Sequence, residues 1–528
     1  MRFSRTIAAA AGVLLTLLVF ASSAIAQAAT SNQQAAAHAD RGLQLARSGN
    51  LASAEAELQQ AVDLAPSNSG FLASLGTVLA MDKKLDDSTR VFKRALQLAP
   101  HDLVTRRYLA ASLWQLHRYP EARQNLNVIL KQKPDDPPTL LLFGMVCENM
   151  RDYASAAKAL AAVPTLVREQ PESIAALARS YYHVGQTAKA RATLQLLLAH
   201  PAGAQGALLG AHIADEMRDY DTAEKLLVTL KPGFADQSAL TLEVATVLYH
   251  ARKFQESEKA LTDLILAGHA TGKAFNLLAW NYDAENQPQQ AAQALEEAIQ
   301  LESDAETNYL DLGNILLAHH LLPAALDAAR RATARFPDSA RAFLLKGSVE
   351  YAVSQFSDAV ASFARAAELD PTNPDAALGL ARSRFAAGEA DKAAANFEAG
   401  EKRFPKDARF RLQHALLLLK ESETGRPEAE PRAEALLKSA LALDRSSPDA
   451  NYQLGELALK KGDTSAAMSY LTSAAKLNPN DARIHFGLAY AYRRLGRKED
   501  ASKEMDLYQR LNAEPHPEAQ FPARAPEN

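Results

Sequence analysis

Prolines recur in this chain at a spacing of 34 residues, and this period limits the fold more than any other feature. The spacing aligns two runs of three prolines, Pro66, Pro100 and Pro134 and then Pro337, Pro371 and Pro405. A fixed period of this length is the signature of a repeat architecture. The chain has 528 residues, and a single globular core rarely grows to this size. The length and the fixed period together predict an array of repeats.

Two positions of the repeat are restricted to small residues. When the proline is placed at position 32, position 8 is Gly or Ala in fourteen units, from Gly42 to Ala489. Position 20 is Ala or Ser in the same units, from Ala54 to Ala501. Small residues at fixed positions predict two helices, A and B, that cross closely in each unit. An aromatic content of 7% fits helices packed through small residues.

The repeat resembles the tetratricopeptide-repeat family. The resemblance rests on units such as Tyr452-Gln453-Leu454-Gly455 followed by Ala467, Leu471 and Pro479, and it extends over residues 35–511. It implies an all-α, right-handed superhelical solenoid of about 14 helix-turn-helix repeats. Known members of this family hold peptides or partner helices in the groove lined by their A helices.

The N-terminal residues predict an export signal. Arg2 and Arg5 precede an apolar run over residues 7–20, and Ala24-Ile25-Ala26 is a small-x-small cleavage pattern. We expect a signal peptide over residues 1–26, with a retained membrane anchor as the alternative. The mature protein would be periplasmic or secreted and without an integral membrane span. Residues 27–34 are interpreted as a polar leader, and the proline-rich residues 512–528 as a disordered tail.

Two changes of spacing interrupt the period. One residue is missing between the units that start at Pro171 and Ala204, which predicts a trimmed loop. Six residues are added in the unit that starts at Ala408, where Gly425 and Pro427 fall in a polar stretch over residues 421–427. This stretch predicts an enlarged turn between helices A and B.

The sequence contains no recognisable catalytic or cofactor motif, and we expect neither an enzyme nor a bound cofactor or metal. Phosphate loops, GxSxG elbows, HExxH and CxxC motifs are absent. His319 and His320 are expected in a turn between helices, and Cys147 is expected to be buried and inert. Polar residues at unit boundaries, such as Asn373, are expected to cap the next helix. A formal net charge of -4 argues against nucleic acid as a partner.

Positions 2, 5, 9 and 12 of helix A share one side of that helix, which we call the A-helix face. Several of them carry aromatic, Arg or amide side chains, the types that dominate binding hot spots. These residues form the predicted partner-binding groove: Trp114, Arg179, Tyr182, His212, Tyr249, Asn276, Trp280, Asn314, Tyr351, Arg382 and Phe385. In the alternative interpretation, the aromatic residues at position 12 only fill gaps between successive A helices.

The sequence thus predicts a non-catalytic scaffold of the cell envelope that binds a protein or peptide through this groove. Two alternatives stay open, namely a module that binds glycans or small ligands, because aromatic rings also stack on sugars, and a passive structural spacer. A homo-oligomer is a further alternative, since the last unit carries Tyr490, Arg493 and Arg494.

Overall fold

The computed structural model describes residues 30–198, 203–230 and 234–513, and every regular element in these ranges is helical. The predicted signal peptide and residues 514–528 of the predicted tail lie outside the described residues. Residues 199–202 also lie outside the described residues. They belong to the region in which the sequence predicts a trimmed loop between two repeats. The chain divides into two compact units between Arg252 and Lys253.

The first unit consists of alternating A and B helices. Its A helices are α1 (30–47), α3 (Ser69–Met81), α5 (Leu103–Gln115), α7 (Pro137–Asn149), α10 (Pro171–His183), α12 (Gly203–Glu216) and α14 (Gln237–His250). Its B helices are α2 (Leu51–Leu64), α4 (Leu85–Leu98), α6 (Tyr119–Gln132), α8 (Tyr153–Ala161), α11 (Thr187–Leu198) and α13 (Tyr220–Leu230), and a short helix α9 (Pro164–Arg168) follows α8.

The second unit continues the same alternation. Its A helices are α16 (Gly272–Ala284), α18 (Glu306–Ala318), α20 (Ala340–Ala352), α22 (Pro374–Ala386), α24 (Ala408–Glu423), α26 (Pro448–Lys461) and α28 (Ala482–Arg494). Its B helices are α15 (Phe254–Leu266), α17 (Pro288–Leu301), α19 (Leu322–Arg335), α21 (Phe356–Leu369), α23 (Ala390–Arg403), α25 (Glu430–Leu443), α27 (Thr464–Leu477) and α29 (Lys498–Ala513). The predicted all-α array of helix pairs is confirmed.

Polar residues at the unit boundaries start the A helices. Asn373 accepts hydrogen bonds from the backbone N–H groups of Asp375 and Ala376, and Asp102 accepts them from Val104 and Thr105. Such caps satisfy amide groups that have no partner inside the helix. The expected capping role of Asn373 is therefore confirmed.

The turn from helix A to helix B has a left-handed residue at position 15. Glycine occupies this position in some units, for example Gly388 at φ 82° and Gly462 at φ 83°. Other units hold a residue with a side chain there, such as Ser354 at φ 60° and His320 at φ 55°. The turn geometry is thus common to units with quite different residues at this position, which implies that helix packing imposes it.

Small residues at positions 8 and 20 allow helices A and B to pack, as predicted, but the contact at position 8 involves a side chain of helix B. A β-carbon added to Gly76 would lie 2.7 Å from the ring of Phe92, which is itself fully buried. Ala122 and Ala156 at position 20 are also fully buried. At Gly76 the size limit is therefore set by the large residue that helix B places against it.

Two of the repeats depart from the regular helix lengths. The six added residues do not form only a turn, because helix α24 continues to Glu423 and a 3₁₀ helix covers Pro427–Ala429 before α25. The predicted enlarged turn is thus shorter than expected. In the fourth repeat, which starts at Pro137, helix B ends at Ala161 and the short helix α9 begins at Pro164. The helix is interrupted there because proline cannot continue the helical hydrogen bonds. No helix within the described ranges has the length and apolar character needed to cross a bilayer.

Candidate functional site

All eleven predicted groove residues lie on A helices, and most of them contact the neighbouring repeat. In the first unit, the indole Nε1 of Trp114 donates to Oδ1 of Asn149 on the next A helix at 2.8 Å. Arg179 donates to the buried carboxylate of Glu148 at 2.5 Å, on the preceding A helix, and its Nε lies 3.7 Å from Glu216 on the following one. These contacts connect helices α5, α7, α10 and α12 in sequence.

Tyr182 is bound to the turn of the next repeat. Its hydroxyl donates to Oδ2 of Asp219 at 2.8 Å, and Arg191 donates to both carboxylate oxygens of the same residue. Burial and this hydrogen bond raise the pKa of the Tyr182 phenol. Burial would raise the pKa of Asp219, but the hydrogen bonds from Arg191 and Tyr182 outweigh it and lower that pKa. Tyr182 is therefore part of a charged cluster inside the array.

Two histidine–carboxylate pairs join helices α12 and α14. Nε2 of His212 lies 2.9 Å from Oε2 of Glu243, and Nδ1 of His250 lies 2.9 Å from Oδ2 of Asp215. The hydrogen bond to Glu243 raises the pKa of His212. The half-buried Tyr249 lies beside His250, with a ring separation of 6.0 Å.

In the second unit, Asn276 and Trp280 of helix α16 converge on Asp311 of α18. Asn276 donates to Oδ2 of Asp311 at 2.8 Å and to Asn308 at 3.1 Å, while Trp280 donates to Oδ2 of Asp311 at 3.3 Å. Burial raises the pKa of Asp311, whereas the two hydrogen bonds and the charge of Arg341 lower it, and the net shift is upward. Trp280 is only 6% exposed.

The other predicted residues of the second unit are half-buried. The guanidinium of Arg382 on α22 lies over the ring of Tyr351 on α20, 5.1 Å from its centroid. Phe385 packs against the hydrophobic core of its own and the following repeats. Asn314 is half-buried on α18. His319 was expected in a turn between helices, and in the structure it is the residue that follows α18. Its Nε2 lies 2.7 Å from Oδ1 of Asp283 on α16.

The A-helix face therefore contains a series of contacts between consecutive A helices in each unit. Trp114, Tyr182 and Tyr351 at position 12 make the inter-repeat contacts that the alternative interpretation requires. Ligand binding by these residues stays a prediction. Their contact residues lie in the neighbouring repeat, so their position in the sequence alone could not reveal this role.

Three exposed apolar side chains on the A helices, Val104, Tyr108 and Phe486, were not predicted from the sequence, whereas Tyr490 was named there only for a homo-oligomer. Val104 is 50% exposed and Tyr108 43% exposed on α5, and Phe486 and Tyr490 are 48% and 42% exposed on α28. Val104, Phe486 and Tyr490 occupy positions 2, 5 and 9 of the A-helix face, and Tyr108 is next to it at position 6. Apolar residues at positions 2 and 5 are the sequence signal that points to Val104 and Phe486, whereas the predicted groove rests mainly on positions 9 and 12.

The described residues contain no group of three or more His, Cys, Asp or Glu side chains arranged to hold a metal ion. Cys147 is fully buried, and burial raises the pKa of its thiol to about 11. The expectation of a buried thiol is confirmed. An open cavity of about 620 Å³ lies at the repeat boundaries of the second unit, between Pro374, Phe404 and Leu443.

Family models for the tetratricopeptide repeat match most of the array. The matched residues are 79–140, 351–417 and 458–520 for one model, 39–103, 310–374 and 425–482 for a second, and 272–304 for a third. Residues 141–271 fall outside these matches, and this stretch includes the interrupted helix after α8. Among curated proteins, none matches the sequence.

Several solved structures resemble the chain. Yeast Tom70 is 17% identical with a TM-score of 0.40, and the match covers 85% of this chain and 97% of that one. The Cut9 and Hcn1 complex of APC/C is 14% identical with a TM-score of 0.37, covering 89% and 92%. A repeat protein from Cytophaga hutchinsonii is 18% identical with a TM-score of 0.39, covering 46% and 96%.

The repeat period, the helix pairs and the small residues at their crossings agree with these family models over more than half of the chain. The protein belongs to the tetratricopeptide-repeat family.

Proposed function

We propose that this protein is a non-catalytic scaffold of the cell envelope that binds a protein or peptide through its A-helix face. The tetratricopeptide-repeat fold is typical of protein-interaction scaffolds. Within the residues that the structure describes, the helix pairs of the repeats leave no separate domain in which an active site would be expected.

The observation that carries this proposal is the exposure of large apolar side chains on or beside the A-helix face. Val104 and Tyr108 are about half exposed in the first unit, and Phe486 and Tyr490 in the second. Aromatic side chains that are exposed in the free protein gain much buried area in a complex and keep a polar group for orientation. Exposed apolar surface of this kind favours a protein or peptide ligand.

The test should leave the contacts between repeats intact. Replacing Arg179, Tyr182 or Trp280 would remove hydrogen bonds that connect neighbouring A helices, so a loss of binding would have two explanations. Val104 and Tyr108 are better targets, since substitution by serine removes mainly solvent-exposed apolar surface.

The experiment compares two double variants in affinity capture from envelope extract. Val104→Ser with Tyr108→Ser changes the A-helix side, whereas Leu64→Ser with Leu98→Ser changes exposed leucines at the ends of B helices, which are 36% and 46% exposed. Circular dichroism first establishes that both are folded. We expect one protein to be retained by the parent and by the B-helix variant and lost by the A-helix variant.

Equal capture by the two variants would contradict binding through this part of the A-helix face. Titration of cell-wall fragments against tryptophan fluorescence addresses the glycan alternative, because Trp114 is half-buried and lies on the same face. A saturable response to a fragment, without any captured protein, would favour a glycan-binding module instead.

The envelope location is tested by the N-terminus of the expressed protein. The charged start, the apolar run and Ala24-Ile25-Ala26 support cleavage by a signal peptidase. Mass spectrometry of protein from the periplasmic or secreted fraction should show a chain that begins at Gln27. A chain that retains residues 1–26 in the membrane fraction would support the anchor alternative.

A further inference from the structure

The last turn from helix A to helix B, between α28 and α29, is the most basic turn of its kind in the sequence. Residues 493–498 occupy positions 12–17 of the repeat and include Arg493, Arg494, Arg497 and Lys498, without an acidic residue among the six. The same six positions of every other unit hold at most two Lys or Arg residues. This turn therefore differs in charge from a chain whose formal net charge is -4.

Most of these positive charges have no acidic partner. All six residues of the turn are exposed, and Arg493 and Lys498 make no hydrogen bond or ion pair with any residue that the structure describes. Arg494 donates to the backbone oxygen of Leu459 at 2.7 Å and to the phenol oxygen of Tyr490 at 3.1 Å, and both acceptors are uncharged. Only Arg497 has a carboxylate partner among the described residues, and this partner is Asp500, at 2.7 Å.

Arginines elsewhere in the second unit do have acidic partners. Arg409 lies 2.7 Å from Asp375, and Arg483 lies 3.3 Å from Asp449. In both pairs, the two residues occupy position 2 of successive A helices. The unpaired charges of the last turn are therefore not a general property of this part of the chain.

The preceding repeat shows why the last turn lacks a partner. Lys460 at position 13 forms an ion pair with Glu430, at position 17 of the preceding B helix. In the last repeat, position 13 is Arg494, and the residue that corresponds to Glu430 is Thr464. The carboxylate that neutralises the lysine in one repeat is thus replaced by an uncharged residue in the next.

An exposed apolar side chain lies among these charges. Leu495 follows Arg494 directly and is 49% exposed. Basic residues around an apolar side chain are typical of segments that lie at the surface of a membrane. An acidic protein would have to present carboxylates at fixed positions, whereas a fluid lipid surface adjusts to side chains such as Arg493 and Lys498, which no contact holds in one geometry. The combination therefore favours a lipid surface.

We propose that this turn binds the surface of a membrane that contains anionic phospholipids. Arg493, Arg494 and Lys498 contact the phosphate groups, and Leu495 enters the boundary between headgroups and acyl chains. The attraction acts over about 8 Å at physiological salt, so it is limited to the end of the array that faces the membrane. The inference goes beyond the proposed function, because it concerns the last turn and not the A-helix face.

The test measures sedimentation of the purified full chain with lipid vesicles. One preparation is pure phosphatidylcholine, and the other contains equal amounts of phosphatidylcholine and phosphatidylglycerol. We expect stronger binding to the anionic vesicles, and we expect salt to weaken it because salt screens the charges. All variants carry the same N-terminus, so differences between them report on the substituted side chains alone.

Three variants, each shown to be folded by circular dichroism, test the role of the turn. Arg493→Gln with Lys498→Gln should weaken binding to anionic vesicles by about twentyfold, since each basic residue near an anionic surface contributes about fivefold. Leu495→Ser should weaken it by about fivefold, because it removes the inserted apolar side chain. The matched control is Arg47→Gln with Lys83→Gln, which removes the same charge from exposed positions at the corresponding turns of the first two repeats. It should stay within about twofold of the parent.

Equal binding of the parent to neutral and anionic vesicles, or unchanged binding of the Arg493→Gln and Lys498→Gln variant, would overturn the inference. If the folded parent binds no vesicle and this variant loses a protein that the parent captures, the turn binds an acidic protein and the lipid assignment is wrong. These outcomes are separate from ligand binding through the A-helix face, which the Val104 and Tyr108 variants test.

Discussion

The indole of Trp280 on α16 and the carboxylate of Asp311 on α18 are joined by a hydrogen bond of 3.3 Å between two consecutive A helices. The carboxylate also accepts a hydrogen bond from Asn276, yet burial still raises the pKa of Asp311 above its ordinary value of 3.8. Asp311 thus connects two repeats while its charged form is disfavoured.

Asp311→Asn should stabilise the protein at neutral pH. Because the pKa of Asp311 is raised in the folded state, its contribution to stability is complete below pH 3.8 and is lost as the pH rises through the folded pKa. Asparagine can still accept both hydrogen bonds, and it carries no buried charge. We expect a gain in the free energy of unfolding on the order of 1 kcal/mol at pH 7. The gain should decrease towards pH 4.

Calorimetric unfolding at several pH values measures this effect, with the exposed Asp304→Asn as the control. A loss of stability at pH 7 in Asp311→Asn would mean that the charge of Asp311 is needed, for example to balance Arg341.

His212 should make the α12–α14 contact weaker at alkaline pH. Its pKa is raised by the hydrogen bond to Glu243, so its contribution to stability is complete below pH 6.5 and is lost as the pH rises through the folded pKa. The two side chains are 57% and 42% exposed, which limits the effect to a few tenths of a kcal/mol. Hydrogen exchange of α12 and α14 should accelerate between pH 6 and pH 8.5, after correction for the intrinsic rate.

His212→Gln should remove most of this pH dependence, whereas His320→Gln, in an exposed turn, should leave it unchanged. Equal pH dependence in the two variants would assign the effect to a group other than His212.

Ser354→Gly should stabilise the second unit. Ser354 has φ 60°, a left-handed conformation that costs a residue with a β-carbon about 1 kcal/mol relative to glycine. Glycine is more flexible in the unfolded chain, so the net gain should be about 0.5 kcal/mol. The reverse change, Gly388→Ala at φ 82°, should destabilise the protein. Thermal unfolding of both variants gives the comparison, and a gain in both would exclude turn geometry as the cause.

Cys147 should not react with thiol reagents in the folded protein. Its side chain is fully buried, and its pKa of about 11 leaves little thiolate at pH 8. We expect labelling with iodoacetamide only after unfolding, at one thiol per chain. Rapid labelling of the native protein at pH 8 would show that the helices around Cys147 open frequently.

The local sequence pattern was sufficient to predict the helix pairs, but it was not sufficient to predict the lengths of the helices. Gly76 and Ala122 mark the crossings of helices A and B because no larger residue fits beside a buried side chain. The break before Pro164 was not predicted, because the period gives the positions of the small residues and does not give the ends of the helices. The extension of α24 to Glu423 was also not predicted, because Gly425 and Pro427 made the whole polar stretch read as a turn.

The candidate site was predicted less completely than the fold. The period placed Trp280 and Tyr351 on one side of helix A, because a face depends only on spacing within one helix. Their partners, Asp311 and Arg382, belong to the next repeat. Such pairings depend on how consecutive repeats are aligned in space, which the turns and helix ends decide.

The alternation of acidic and basic residues at position 2 also restricts how the number of repeats can change. Asp375 pairs with Arg409, and Asp449 pairs with Arg483, so each ion pair spans two adjacent repeats. Deleting the single repeat that contains Arg409 would place Asp375 beside Asp449. Deleting two repeats would bring Asp375 next to Arg483 and restore an opposite charge. In this part of the chain, gains and losses of sequence in steps of two repeats conserve the pairing, whereas steps of one repeat break it.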